Sequence, residues 1–164
     1  MIISAFAGSG KTTAEREIDN AIDLESSDFQ WIYPEGTTTD VEERKGILER
    51  KKNPNFVKDY VDSIDTATQS YDYIFIASQP SVLEELESRN IPYSVAYPSV
   101  ESKSEYIERY KHRGNNAQFI ELMDKNFEAF VNSMRNNEKA VHHIQIKEGQ
   151  YLLDAIIENN IGCK

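Results

Sequence analysis

The sequence predicts an α/β fold in three layers, with helices on both faces of a central parallel sheet of about five strands. Three observations carry this expectation. The chain opens on a short apolar run, Met1 to Phe6, which stops just before a closely spaced pair of glycines. Tyr71 to Ala77 is continuously apolar after Asp72 and rich in aromatic and β-branched residues, as a strand covered on both faces is. Along the rest of the chain, extended segments alternate with segments of helical periodicity, the rhythm of parallel strands joined by crossover helices.

Taken in order, Met1 to Phe6 reads as a buried strand and Lys11 to Asn20 as a helix. Ala21 to Leu24 is a second strand, and Glu25-Ser26-Ser27-Asp28 ends it with turn-forming side chains. Phe29 to Asn55 is irregular, with Pro34, Gly36 and the charged run Val41 to Lys52, which is expected to be partly helical. Asn53-Pro54 offers a helix start, and Phe56, Tyr60, Val61 and Ile64 recur at helical spacing, so a helix is expected over Pro54 to Gln69. Tyr71 to Ala77 is then expected to be the central strand. A helix from Ser81 to Arg89 closes at Asn90, and Pro92 to Tyr97 is a strand ended by Pro98. Ser102 to His112 carries Tyr106, Ile107 and Tyr110 on one helical face and stops at Gly114; Ala117 to Asn136 is a long amphipathic helix. His142 to Ile146 reads as the last strand, and Gly149 to Asn159 as a final helix with Tyr151, Leu152, Leu153, Ile156 and Ile157 facing inward.

Composition limits what such a fold can do. At 164 residues the chain suits a single domain, 1–164, with 39% hydrophobic and 28% charged residues. The amino terminus has no basic region leading into an apolar core, and no apolar run reaches the roughly 18 residues that span a bilayer. A cytoplasmic protein without a membrane partner is expected; a homodimer is compatible with the sequence. The formal net charge of -10 disfavours long nucleic acid, whose phosphates would be repelled. The single cysteine, Cys163, allows neither an internal disulfide nor a cysteine metal site, and His112, His142 and His143 lack metal-ligand spacing.

The chemistry gathers in Ala5-Phe6-Ala7-Gly8-Ser9-Gly10-Lys11-Thr12. A phosphate cradle needs glycines so that backbone N–H groups turn inward, a lysine for the β- and γ-phosphates, and a hydroxyl for magnesium. Gly8, Gly10, Lys11 and Thr12 supply these, and the following helix adds the favourable field of its positive end. Ala7, Ser9 and Thr13 complete the expected nucleotide contacts. The usual first glycine of the pattern is Ala5 here. No acid ends the Tyr71 to Ala77 strand, where Ser78-Gln79 follows, which speaks against a motor ATPase or GTPase; Asp23, at the end of the second strand, is the best substitute, with a solvated turn residue as its alternative. Glu25 and Asp28 are weaker versions of the same proposal.

Basic residues cluster in two further places. Arg109 and Arg113, four apart on one helix face, suit a transferring phosphoryl group, unless Arg109 merely pairs with Glu105 and Arg113 is solvated. Arg44, Lys45, Arg50, Lys51 and Lys52 could hold an acceptor's phosphate or form an ordinary solvated face. Phe29, Trp31 and Tyr33 alternate ahead of them and either stack a base or pack in the core.

The loop AFAGSGKTT, the strand-end segment IDLESSDF, the central YDYIFIAS and the segment YPSVESKSEYIERYKHRGN together resemble the small P-loop nucleoside and nucleotide kinases, particularly phage-type members. The resemblance implies the P-loop NTPase form of the three-layer α/β/α fold, with ATP and magnesium held by Gly8, Gly10, Lys11 and Thr12. It also implies a lid over about 99–116 bearing Arg109 and Arg113, and a flap over about 29–69 that holds a small nucleoside or nucleotide acceptor. Asp23 would lie near that acceptor, with Arg44, Arg50 and Trp31 as its further expected contacts. Ser78-Gln79-Pro80 stands where well-known nucleoside monophosphate kinases carry an Asp-Gly-Phe-Pro-Arg type segment, which leaves the acceptor's identity open, with Arg44 and Arg50 weighing toward a monophosphate and Asp23 either orienting magnesium or accepting a hydroxyl proton. The expected activity is transfer of the γ-phosphoryl of ATP to that acceptor. From another class, a nucleotide-binding regulatory or interaction protein with weak turnover fits the missing acid and Ala5.

Overall fold

The structure, a computed structural model, describes residues 1–39, 44 and 49–161. Cys163 and much of the charged run expected to be partly helical lie outside these residues. The described elements, in order, are β1 (Ile2–Ala5), α1 (Lys11–Glu17), β2 (Ala21–Asp23), α2 (Ser27–Gln30), β3 (Trp31–Ile32), β4 (Lys51–Lys52), α3 (Phe56–Ala67) and β5 (Tyr73–Ala77). There follow α4 (Pro80–Ser88), β6 (Ser94–Pro98), a 3-10 turn (Val100–Ser102), α5 (Lys103–His112), α6 (Ala117–Arg135), β7 (His143–Ile146) and α7 (Leu152–Glu158).

Five strands form one parallel sheet in the order β2-β5-β1-β6-β7, giving the three-layer α/β/α fold. Alternation along β1 sorts the layers. Ile2 and Phe6 pack with α3, α4, α5 and α6, while Ile3 and Ala5 pack with α1 and α7. Continuous apolarity marks any strand covered on both faces, so it does not rank strands within the sheet. The expectation that Tyr71 to Ala77 is central is therefore corrected: β1 is the middle strand and β5 its neighbour.

Other departures have local causes. The polar stretch expected as a turn instead starts the short helix α2. Trp31 and Ile32 pair antiparallel with Lys52 and Lys51, a ribbon too short and too rich in lysine to show alternation in sequence. Pro98 lies inside β6 rather than after it. Ala96 is paired with Ala5, the last residue of β1, so at Pro98 only the β7 side remains and the missing N–H breaks no ladder bond to β1. Tyr151 and Ile157 do not face inward, being 46% and 63% exposed: the helix begins one residue after Tyr151, and its buried face runs through Leu152, Ala155 and Ile156.

The carboxyl ends of the strands are held in fixed relation by Tyr60, which is fully buried. Its hydroxyl donates to the Leu24 carbonyl at 2.6 Å and accepts from the Ala77 N–H at 3.3 Å, joining the exits of β2 and β5. Burial holds its phenol well above the usual tyrosine range, so it remains a donor. Tyr60→Phe leaves both backbone groups unpaired and is expected to cost about 1–3 kcal/mol in urea denaturation; an unchanged midpoint would show that this hydroxyl does not tie the strands.

Candidate functional site

The loop leaves β1 at Phe6 and enters α1 at Lys11. Its backbone depends on two glycines in the left-handed region, Gly8 at φ 80° and Gly10 at φ 94°. Space demands glycine there as well as conformation. A Cβ at Gly8 would stand 2.7 Å from Cε1 of Tyr110, and one at Gly10 would stand 2.9 Å from Cδ1 of Tyr151. The first helical bond runs from the Ala14 N–H to the Gly10 carbonyl at 3.0 Å, so the N–H groups of Lys11, Thr12 and Thr13 have no acceptor within the helix.

The loop is clamped from two sides. From α5, the Tyr110 hydroxyl donates to the Ala7 carbonyl at 2.8 Å. From the start of α7, the Leu152 N–H donates to the Ser9 carbonyl at 2.8 Å. Arg109 joins both sides, donating to the Gly8 carbonyl at 3.2 Å and the Gln150 carbonyl at 2.8 Å, and pairing with Glu105. Ala5, in place of the usual glycine, is buried within the strand ladder, where a Cβ packs in the core.

A cavity of about 540 Å³ opens against this loop, within the range of small-ligand sites. Gly8, Gly10, Lys11, Thr12, Thr13, Asp23, Arg109 and Arg113 all line it, so residues distant in sequence converge there. Lys11 and Arg113 make no ion pair among the described residues. The Thr12 hydroxyl donates to Asp23 Oδ2 at 2.9 Å, while Asp23 Oδ1 is buried without a hydrogen-bond partner. The Ser9 hydroxyl is likewise enclosed and unpartnered. Burial pushes the Asp23 carboxyl above its ordinary value, and Lys11 and the Thr12 bond only partly offset this.

This arrangement bears on magnesium. Among the described residues no group of three or more His, Cys, Asp or Glu side chains could hold a metal by itself. Magnesium is commonly held by one or two protein oxygens together with water and substrate phosphates, and the Thr12 hydroxyl and the orphaned Asp23 oxygen fit that donor set.

The flap residues are placed differently. Arg44 lies over Tyr33, donates to the Thr38 carbonyl and sits 3.9 Å from Asp28; Arg50 lies 4.0 Å over the ring of Trp31. None of Arg44, Arg50 and Trp31 lines the loop cavity. Of the three alternating aromatics only Phe29 joins the core, against Tyr60. Arg109 does pair with Glu105, as one sequence reading held, yet its face still borders the cavity. The expected lid is the helix α5, seated on the core through Tyr106 and Tyr110. Tyr151 was missed: its ring borders the cavity 3.9 Å from the Arg109 guanidinium. The signal was the aspartate three residues on, Asp154, which accepts from the Tyr151 N–H and marks Tyr151 as a cap rather than a helical face.

No protein-family model and no curated protein matches the chain. Among solved structures, the tunicamycin resistance protein of Deinococcus radiodurans is similar in fold, with a TM-score of 0.57 and 14% identity. The match covers 98% of this chain and 95% of that one. Among the described residues no helix is long and apolar enough to cross a membrane.

The raised Asp23 carboxyl has a stability consequence. As pH rises past the ordinary value of 3.8, the unfolded chain ionises this group first, so ionisation of the folded form costs stability, in full once pH exceeds the folded value. Asp23→Asn is expected to be more stable than the parent at neutral pH in urea denaturation, the gain shrinking as pH falls toward 3.8. Lower stability of the variant at neutral pH would contradict a desolvated carboxylate.

Proposed function

We propose that this protein is an ATP-dependent phosphotransferase, moving the γ-phosphoryl of ATP to a nucleoside or nucleoside monophosphate in the manner of the small P-loop kinases it resembles. The observation that carries the reading is the convergence, on one cavity, of the left-handed glycine loop, an unpaired Lys11 and the Thr12–Asp23 pair. The fold shared with the tunicamycin resistance protein is compatible with it.

In this reading most of the catalysis is positioning. The backbone from Gly8 to Thr13 cradles the phosphates, and Lys11 holds the β- and γ-phosphates. Arg113, exposed at the end of α5, is the arginine free to reach the transferring group, whereas Arg109 keeps the cradle in shape through its carbonyl bonds. Thr12 and Asp23 are the side chains that would hold magnesium. When bound, that ion supplies neutralisation of the phosphate charge. The hydrogen bond from Thr12 to Asp23 supports Asp23 as the group that orients the ion rather than as a base for the acceptor.

A second reading, a nucleotide-binding regulatory protein with weak turnover, draws on the engagement of Arg109 by Glu105 and two carbonyls and on the absence of an acid after β5. The two separate in an assay of ADP release from ATP and magnesium against nucleosides and nucleoside monophosphates. Acceptor-stimulated release is expected, reduced about a hundredfold or more in Lys11→Ala. Asp23→Asn is expected to raise the magnesium concentration needed for half-maximal rate while leaving the acceptor dependence unchanged. Measurable ATP binding with no stimulation by any acceptor would favour the regulatory reading.

A further inference from the structure

A second cavity, of about 500 Å³, meets the loop nearer its start. Phe6 and Ala7 line it, whereas Gly8 and Gly10 to Thr13 border the first, so the two cavities adjoin along the loop at Ala7 and Gly8. Ser78 and Gln79 also line it, and they follow Ala77, whose register partner is Ala5 at the loop's start. The cavity therefore abuts the loop at its entrance from β1.

Its chemistry is one-sided. Leu83, Met123, Phe130 and Met134 make apolar walls, and Phe130 is 39% exposed there. Among the described residues the charged ones lining it are Glu84 and Glu87, with no lysine, arginine or histidine. Glu87 is held by the Tyr93 hydroxyl, which donates to Oε1 at 2.5 Å and accepts from Asn137 at 2.8 Å. Burial and that carboxylate push the Tyr93 phenol up to about 12, so it stays a donor and Glu87 keeps its second oxygen for another partner. The Ser78 hydroxyl and the Gln79 amide make no hydrogen bond among the described residues, so both are available to a ligand.

Resting on the phosphotransferase reading above for the ligand's role, we infer that this second cavity is the acceptor site, and that it selects an uncharged, hydroxyl-bearing ligand of nucleoside size over a phosphorylated one. Two carboxylates beside an apolar wall repel a phosphate, which needs paired cations when taken out of water. The arginines that could have served a phosphorylated acceptor, Arg44 and Arg50, are stacked on Tyr33 and Trp31 and do not line this cavity. A ring system suits the methionine and phenylalanine walls, and ring hydroxyl or amino donors suit Gln79, Glu84 and Glu87. In the transfer, a bond forms from the acceptor hydroxyl oxygen to the γ-phosphorus, the bond from that phosphorus to the bridging oxygen of ADP breaks, and the hydroxyl proton passes to solvent.

Calorimetric titration with adenosine and thymidine, each against its 5′-monophosphate, separates the possibilities. A nucleoside is expected to bind about tenfold or more tightly than its monophosphate, since close like charges are repelled. Ser133→Trp, at an exposed α6 position on the cavity rim, is expected to weaken nucleoside binding about tenfold while ATP binding is unchanged. Glu84→Lys, also at an exposed position, is expected to improve the monophosphate about threefold. Equal or tighter monophosphate binding, nucleoside affinity untouched by Ser133→Trp, or no nucleoside binding at all would overturn the assignment. Nucleoside binding lost in Ser133→Trp but without ADP release keeps the cavity as a nucleoside site and removes the phosphotransferase reading. Nucleoside-stimulated ADP release that Ser133→Trp leaves intact does the reverse.

Discussion

The guanidinium of Arg109 lies between the rings of Tyr106 and Tyr151, 4.6 and 3.9 Å from their centres, and from there donates to the carbonyls of Gly8 and Gln150. It thereby joins the loop after β1, the helix α5 and the approach to α7. A cation this enclosed, with its side chain 10% exposed, needs a compensating anion, and Glu105 supplies it while also accepting the Gly149 N–H at 3.0 Å. Lysine could not replace it, because the planar fork is what reaches a carboxylate and two carbonyls at once. The cavity's shape follows from this junction acting with the Tyr110–Ala7 and Leu152–Ser9 bonds, which together set Tyr151 and the loop against α5.

Order at the junction comes with desolvation nearby. Gly8 and Gly10 adopt conformations closed to other residues, and Tyr110 and Tyr151 occupy the space a side chain there would take. Asp23 is held away from water with one oxygen unpartnered, and the Ser9 hydroxyl is enclosed without a bond. The unpartnered Asp23 and Ser9 oxygens lower stability, and they lie with the two glycines around one cavity, while the sheet beneath is fully packed by Ile3, Ile74, Phe75, Ile76 and Val95. Such a distribution is expected where binding, not packing, has shaped the residues.

The sheet's five strands and most of its helices were legible because each is long enough to display a period or sharply punctuated, as Met1 to Phe6 is by its glycines and α5 by Gly114. The loop was legible because its residue types are chemically demanding at fixed spacing. What sequence withheld was relational. Strand order depends on crossovers, so β1 could not be ranked above β5. The ribbon of Trp31–Ile32 with Lys51–Lys52 joins residues about twenty apart through two pairs only, a closure whose loop entropy leaves no local trace. Arg109 could be read as a phosphate ligand or as a partner of Glu105, and the structure makes it a partner that still borders the cavity. Tyr151, read as core, is instead a helix cap facing the loop.

The charge balance of the loop cavity adds a last constraint on the proposed reading. Three cations line it, Lys11, Arg109 and Arg113, against four carboxylates, Asp23, Glu25, Glu105 and Glu108. Arg109 is neutralised by Glu105, and Glu108 by Lys111. That leaves Lys11 and Arg113 facing Asp23 and Glu25, a cavity near neutrality within a chain of net charge -10. Two free cations cannot offset a triphosphate in a site that also holds two free carboxylates, so favourable binding requires that the nucleotide arrive with a divalent cation and that the carboxylates face that cation rather than the phosphates. Asp23, through its free oxygen and its tie to Thr12, is the carboxylate placed to do so. Under the proposed phosphotransferase reading, the acidity around the loop would not obstruct phosphate binding but would require the metal with it.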